Sequence, residues 1–536
     1  MKNCFNFILS SIIVLFFLML PEIIYGFVNP QFKICFMGEK LAVIYILAII
    51  LTAMPFSKFK AVFLFCFSIF SIIQFCYMQY FGNYLTAYAI NFIFWEAHDI
   101  WIESKSIWLN YIPLILLVAV PYFVLFLLWK KNILPQFVFP YYPICFFLFF
   151  GYFIYQATTP NGIFQMLFKN TCYASYNTIN SFSAFFGNVL PQQFFKTENK
   201  KNFDKYQITH IEKDLKTPRN IIFIVGESTN ADNMSLFGYN IKTTPKLEAY
   251  AAADKNFVST KVWAAAVNTL ISLPMLYNIQ YHPEDYKKLI IKDTNLLRLA
   301  KLGNYHVSYI ELQNAGVFRK TNLDNYDQLF IYDKNKDKEF SGEDAFLDFV
   351  LPKINLKERN FIIIHQRNIH SPYTDNYQNN ADISTTALKT TNSKRIDDYN
   401  KAMFYEDMIL DKLLKYASSL PNETYFYYVS DHGESLGQNG LWGHGHLDTS
   451  DLKVPFLFSM FNSNDADYRA KISSGISCAY EVSILIAEKL GYKIEITDKE
   501  DGVCLVNGRD SMGRAGILKI KGKPDSGESA QKLPTR

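Results

Sequence analysis

Three short windows of this chain hold residues whose types and spacing could do chemistry. Residues 220–225 are a run dominated by Ile, Phe and Val that predicts a buried parallel strand, and Gly226-Glu227-Ser228 follows it at once. Ligands of open α/β sheets gather at the carboxyl ends of strands, so Glu227 stands where a metal ligand or general base would be placed. A helix cap or a solvated turn is an equally common use of such an acid. A second predicted strand, 424–429, runs into Ser430-Asp431-His432-Gly433-Glu434-Ser435. Adjacent Asp and His can offer one oxygen and one nitrogen to a single ion, with Gly433 allowing a sharp exit. His444 follows in Gly443-His444-Gly445-His446, and a third strand, 360–364, leads to His365 and then His370-Ser371-Pro372-Tyr373. Five of the nine histidines fall in two of these windows, which favours a shared site over scattered structural roles.

Between the first and third strands lies Ala266-Val267-Asn268-Thr269-Leu270-Ile271-Ser272-Leu273-Pro274, where Thr269 or Ser272 could act as a nucleophile. A hydroxyl is a poor nucleophile at neutral pH, but coordination to zinc favours its alkoxide and polarises the phosphoryl oxygen under attack. The alternative use of Thr269 is to cap a helix in a small and apolar stretch.

The elements that would position these groups begin only near residue 218. Before it, five apolar stretches stand out at 5–28, 41–56, 61–81, 107–129 and 133–155. About twenty helical residues cross a bilayer core, so four fit comfortably and the second is short. The first could also be a signal peptide, although its apolar run is long for one and four more follow. Lys2, Lys58, Lys60, Lys130 and Lys131 fall on one side, and Glu96, Asp99 and Glu103 on the other. The basic side is expected in the cytoplasm, which places everything after the fifth span outside, in the periplasm of a Gram-negative cell. Trp95, Trp101, Trp108 and Trp129 lie near the span ends, as interfacial aromatics do.

Composition agrees with a two-part chain of 536 residues whose net charge is only +4. Its lysines are interleaved with acids, so no nucleic-acid partner is expected. Of the eight cysteines, Cys4, Cys66, Cys76 and Cys145 lie in apolar segments and Cys35 and Cys172 flank them. Cys478 and Cys504 could pair in an exported domain or stay free.

The motifs VGEST (225–229), MSLFGY (234–239), TTP (243–245), NTLISLP (268–274), HSPY (370–373) and SDHGESLGQNG (430–440), behind five apolar spans, resemble the phosphoethanolamine transferases that modify lipopolysaccharide. That family belongs to the sulfatase and alkaline phosphatase superfamily. The resemblance implies a five-helix transmembrane domain at 1–157, an amphipathic bridge and linker at 158–217, and an α/β/α sulfatase-like catalytic domain with a mostly parallel central sheet at 218–510. A polar, flexible tail is expected at 511–536. It further implies that Glu227, Thr269, Asp431 and His432 hold one tight zinc, with Thr269 as the phosphoryl-accepting nucleophile. His370 and His444 would bind substrate phosphate or a second, weaker metal. Phosphatidylethanolamine would be the donor, lipopolysaccharide lipid A or core or a periplasmic glycan the acceptor, and a monomer in the inner membrane the working form.

Departures from the family pattern concern the acceptor. Asn230 replaces an arginine, Ala265 and Met275 stand where paired cysteines bracket the nucleophile, and no lysine motif is evident around Glu311 to Gly316, though Gln313 and Asn314 could serve a related polar role. A phosphoglycerol transferase or a membrane-anchored phosphodiesterase would use the same residues. A sulfatase is disfavoured because Cys-x-Pro-x-Arg is lacking, and a non-catalytic lipid-binding protein would have no reason to keep the ligand set.

Overall fold

The computed structural model describes residues 2–29, 38–81, 84–87, 89–90, 97–135, 137–159, 166, 173–191, 206–211, 219–282, 293–315, 317–318, 323–333, 337–508 and 516–533. The chain divides into two compact units, Met1–Thr197 and Glu198–Arg536. Cys35, Cys172, Trp95, Glu96 and most of the expected bridge at 158–217 lie outside the described residues.

In the first unit each of the five apolar stretches carries a helix: Lys2–Val28, Gly38–Ala53, Lys58–Phe81, Ala97–Lys130 and Tyr142–Thr158. Among the described residues, three spans are long and apolar enough to cross a membrane, Cys4–Val28, Lys58–Tyr80 and Trp108–Lys130. The helices of 16 and 17 residues fall short of the twenty or so that a bilayer core requires, so five crossings are not established. Large apolar side chains such as Phe5, Phe65, Phe123 and Phe147 stay exposed on these helices, as a lipid-facing surface allows. Lys60, one of the lysines on the expected cytoplasmic side, is buried: its Nζ donates to Met54 O at 2.9 Å and lies 3.6 Å from the centre of the Trp129 ring.

The second unit holds strands β1 (Tyr206–His210), β2 (Arg219–Gly226), β3 (Val258–Trp263), β4 (His306–Glu311), β5 (Gln328–Ile331), β6 (Arg359–His365), β7 (Glu423–Ser430), β8 (Ser435–Leu436), β9 (Trp442–Gly443), β10 (Lys453–Phe461), β11 (Tyr492–Ile496), β12 (Val503–Asn507), β13 (Ile517–Lys521) and β14 (Ser529–Leu533). Seven of them form one sheet in the order β3-β10-β7-β2-β6-β4-β5. From β7 to β5 all neighbours are parallel, and β10 and β3 add an antiparallel edge. Strand β2 runs through the middle, which is why its residues 220–226 are buried on both faces and read as an unbroken apolar run.

Successive side chains of a strand point to opposite faces. Ile221, Phe223 and Val225 join one core with helices Thr269–Tyr277, Leu296–Leu302 and Ala479–Lys489, while Ile222 and Ile224 join another with helix Lys394–Ser419. The result is the expected α/β/α sandwich with a mostly parallel sheet.

Two boundaries differ from expectation. Residues 206–210, placed in the linker, pair antiparallel with β11, and the polar tail supplies β13 and β14, which pair in series with β12. Leu518 and Ile520 of β13 point into the main core, so alternation with lysines hid a half-buried strand. Cys478 and Cys504 form a disulfide that ties the start of helix Ala479–Lys489 to β12.

Candidate active site and metal centre

The central strands β2 and β7 end side by side, and their exits are bonded together: Asp431 N–H donates to Gly226 O at 3.0 Å and Ser228 N–H to Asp431 Oδ1 at 3.2 Å. A Cβ on Gly226 would lie 2.3 Å from the Tyr428 hydroxyl, so only glycine fits there. Ser228 adopts φ +53°, a left-handed conformation costly for a residue with a Cβ, and this turn directs Glu227 inward. Gly433 is glycine for a different reason from the one expected. It needs no positive φ; a Cβ would meet Asp451 O at 2.9 Å.

Thr269 begins helix Thr269–Tyr277, whose cap is the Asn268 side chain accepting from Ile271 N–H at 3.2 Å. Its hydroxyl donates to Glu227 Oε2 at 3.0 Å and stands 3.2 Å from His432 Nε2. Ser272, the other candidate nucleophile, is fully buried with its hydroxyl on Ala266 O.

Glu227, Asp431 and His432 are buried, and each offers one ligand atom within 4.8 Å of the others. His432 Nε2 lies 3.3 Å from Glu227 Oε1 and 3.4 Å from Asp431 Oδ2, while its Nδ1 donates to Gly433 O at 2.8 Å. That bond leaves Nε2 as the lone-pair nitrogen a metal requires. Asp431 Oδ1 accepts His432 N–H at 2.7 Å, but the buried Oδ2 has no hydrogen-bond partner. Two carboxylates, an imidazole nitrogen, a hydroxyl and one orphaned buried oxygen fit a zinc ion. Electrostatics agree. Burial and the charge of Glu227 push Asp431 up to about 6, and the two carboxylates raise His432 to about 10 against its burial. Burial opposes ionisation of Glu227 too, yet the hydrogen bond and charge of His432 hold it well below the usual carboxylate range. The site is built for a positive charge.

Beside it, the His444 ring lies tilted against His432 at 4.4 Å between ring centres, and His370 follows at 6.2 Å from His444. The structure therefore brings together Glu227, Thr269, Asp431, His432, His444 and His370. Sequence reasoning missed Glu434, which accepts from Tyr373 OH at 2.7 Å and pairs with His444 Nδ1 at 3.2 Å. It lies in the quoted SDHGES run, but nothing in the run marks it as buried. The buried pair Glu311–His365 was also missed. Asn230 has a structural use, its Nδ2 donating to Glu434 O and Ser450 O at 2.9 Å. Ala265 and Met275 pack with Ala266 and Ile271 in a small apolar cluster where the family pattern has cysteines.

Residues 219–479 match the model of the Sulfatase family. Phosphoethanolamine transferase EptA of Helicobacter pylori is 26% identical over 240 residues, 42% of this chain and 44% of that protein. Kdo(2)-lipid A phosphoethanolamine 7''-transferase of Escherichia coli is 25% identical over 249 residues, covering 44% and 42%, and EptC of the same organism is 24% identical over 298, covering 50% of each. The matched region thus spans half or less of these relatives' length. Among solved structures, integral membrane EptA of Neisseria meningitidis aligns over 90% of this chain and 96% of its own with a TM-score of 0.60 at 18% identity, a likeness of fold.

Proposed function

We propose that this chain, which carries a sulfatase domain and resembles the phosphoethanolamine transferases, moves phosphoethanolamine from phosphatidylethanolamine to lipopolysaccharide or another envelope acceptor. The observation that carries the proposal is the Thr269 hydroxyl at hydrogen-bond distance from both Glu227 and His432, beside three converging ligand atoms. Zinc held by Glu227, Asp431, His432 and Thr269 would supply charge stabilisation to the phosphoryl group in both half-reactions. The Thr269 proton already points at Glu227 Oε2, the position of a base.

Attack by Thr269 Oγ1 on phosphorus releases diacylglycerol, which takes a proton, and leaves the headgroup esterified to the threonine. An acceptor hydroxyl then attacks the same phosphorus, gives up its proton, and frees Thr269. His444, held through Nδ1 by Glu434, and His370 beside it would meet the phosphoryl oxygens or protonate a leaving oxygen. A membrane portion at 1–157 with five spans, and a catalytic unit on the periplasmic side of the inner membrane, would keep this site near its lipid donor. The similarity of the curated relatives supports this headgroup over phosphoglycerol.

Mass spectrometry of the cell envelope with native protein and with Thr269→Ala tests the proposal. A phosphoethanolamine-sized increment is expected on an acceptor with native protein and none with the variant, which keeps its zinc. An increment of phosphoglycerol size, or free phosphoethanolamine without a modified acceptor, would overturn transfer of this headgroup.

A further inference from the structure

The proposed zinc ligand Glu227 is gripped from behind by residues that the reaction does not use. Gln313 Nε2 donates to Glu227 Oε2 at 2.6 Å, and the same amide nitrogen lies 3.1 Å from His365 Nε2 and 3.2 Å from Gln366 O. His365 Nδ1 in turn donates to Glu311, at 2.9 and 3.0 Å from its two oxygens, and Glu311 Oε1 also accepts the Gln313 backbone N–H at 3.0 Å. Glu311 and His365 are cross-strand partners on β4 and β6, fully buried, and Gln313 is nearly so. A carboxylate, an imidazole and an amide thus form one train, anchored in the sheet and ending on the oxygen that also receives the Thr269 proton.

We infer that Gln313, fixed by the Glu311–His365 pair, is the positioning residue that sets the rotation of the Glu227 carboxylate. Gln313 and Thr269 both donate to Oε2, and the Ser228 hydroxyl donates to Oε1 at 2.7 Å, so the Gln313 bond, on the side away from Ser228, fixes which edge of the carboxylate would turn toward the ion. This rests on the zinc site proposed above, and it assigns Gln313 to holding a ligand, whereas the sequence suggested only a polar role for it, in place of a lysine motif that is not evident here.

The test measures zinc affinity by chelator competition on the full-length protein in detergent, together with thermal unfolding of the metal-free and zinc-loaded forms. Gln313→Met keeps the volume and removes the donor; zinc binding is expected to weaken 10- to 100-fold. The metal-free midpoint should stay near native while the zinc-induced rise shrinks, because a positioning role appears only in the loaded form. His365→Ala should weaken zinc as well, and adding it to Gln313→Met should weaken zinc little further, since both break one train. Native zinc affinity in Gln313→Met alongside zinc loss in Glu227→Ala would overturn this inference alone. Equal loss of stability with and without zinc would reduce Gln313 to packing, and a native protein that binds no zinc would overturn the site and the inference together.

Discussion

Glu406, on helix Lys394–Ser419, is buried with its Oε2 accepting from Asn368 Nδ2 at 2.5 Å and Gln366 Nε2 at 3.2 Å. Burial outweighs these bonds and pushes its carboxyl up to about 7; the adjacent Asp407 is raised to about 7 in the same way. A folded value above the unfolded one means the native state binds more protons between pH 4.5 and 7. Stability from this group is therefore full in acid and lost as pH rises through 7. Glu406→Gln keeps an acceptor and removes the charge, so the variant should match native protein at pH 4 and exceed it at pH 8 by about 3 kcal/mol. Thermal midpoints at the two pH values decide this; parallel pH curves would show that Glu406 stays ionised throughout. The remaining slope should report Asp407, whose oxygens accept the backbone N–H groups of Lys246 and Leu247.

The strands that lead into the proposed ligands are the elements most legible in the sequence, for a physical reason. A parallel strand covered on both faces must be apolar throughout, and 220–225, 360–364 and 424–429 stand inside β2, β6 and β7 as found. Edge and terminal strands escaped because one wet face breaks the run: β1 is exposed over four of its five residues, and β13 alternates Ile and Leu with Lys. Contacts such as Gln313 to Glu227 escaped for another reason, since strand order and not local pattern brings those residues together. Packing between β2 and β7 sets a sharp limit where the ligands emerge. Gly226→Ala would drive a methyl against the Tyr428 ring and hydroxyl, atoms that Thr229 holds by a 2.9 Å hydrogen bond. The expected cost is about 1–3 kcal/mol of stability, with weaker zinc binding because Glu227 follows directly. Denaturant unfolding and zinc titration of the variant measure both; an unchanged midpoint would mean the two strands can part freely.

At the scale of the molecule, the last strands belong to the second unit. Composition marks 511–536 as a polar tail, yet Ile520 is fully buried and Leu518 nearly so in the main core, and β13 is the middle strand of its small sheet. Several contacts tie that sheet in, among them Trp263 Nε1 donating to Gly522 O at 2.9 Å. The Cys478–Cys504 disulfide joins it to helix Ala479–Lys489, and Asn507 N–H donates at 3.1 Å to Ala265 O, four residues before Thr269. A chain cut after residue 510 would leave β12 as an unpaired edge and uncover the core that two apolar side chains fill, each worth about 1.5–3 kcal/mol when buried. Because the sheet also borders the Thr269 segment, the loss should reach the site. The truncated protein is expected to unfold several degrees below the full chain and to transfer headgroup more slowly, even with its disulfide intact. Calorimetry and the envelope assay on the two forms separate the alternatives: equal midpoints with equal transfer would restore 511–536 to a dispensable tail, whereas a lower midpoint with slower transfer makes β13 and β14 part of what holds Thr269 in place.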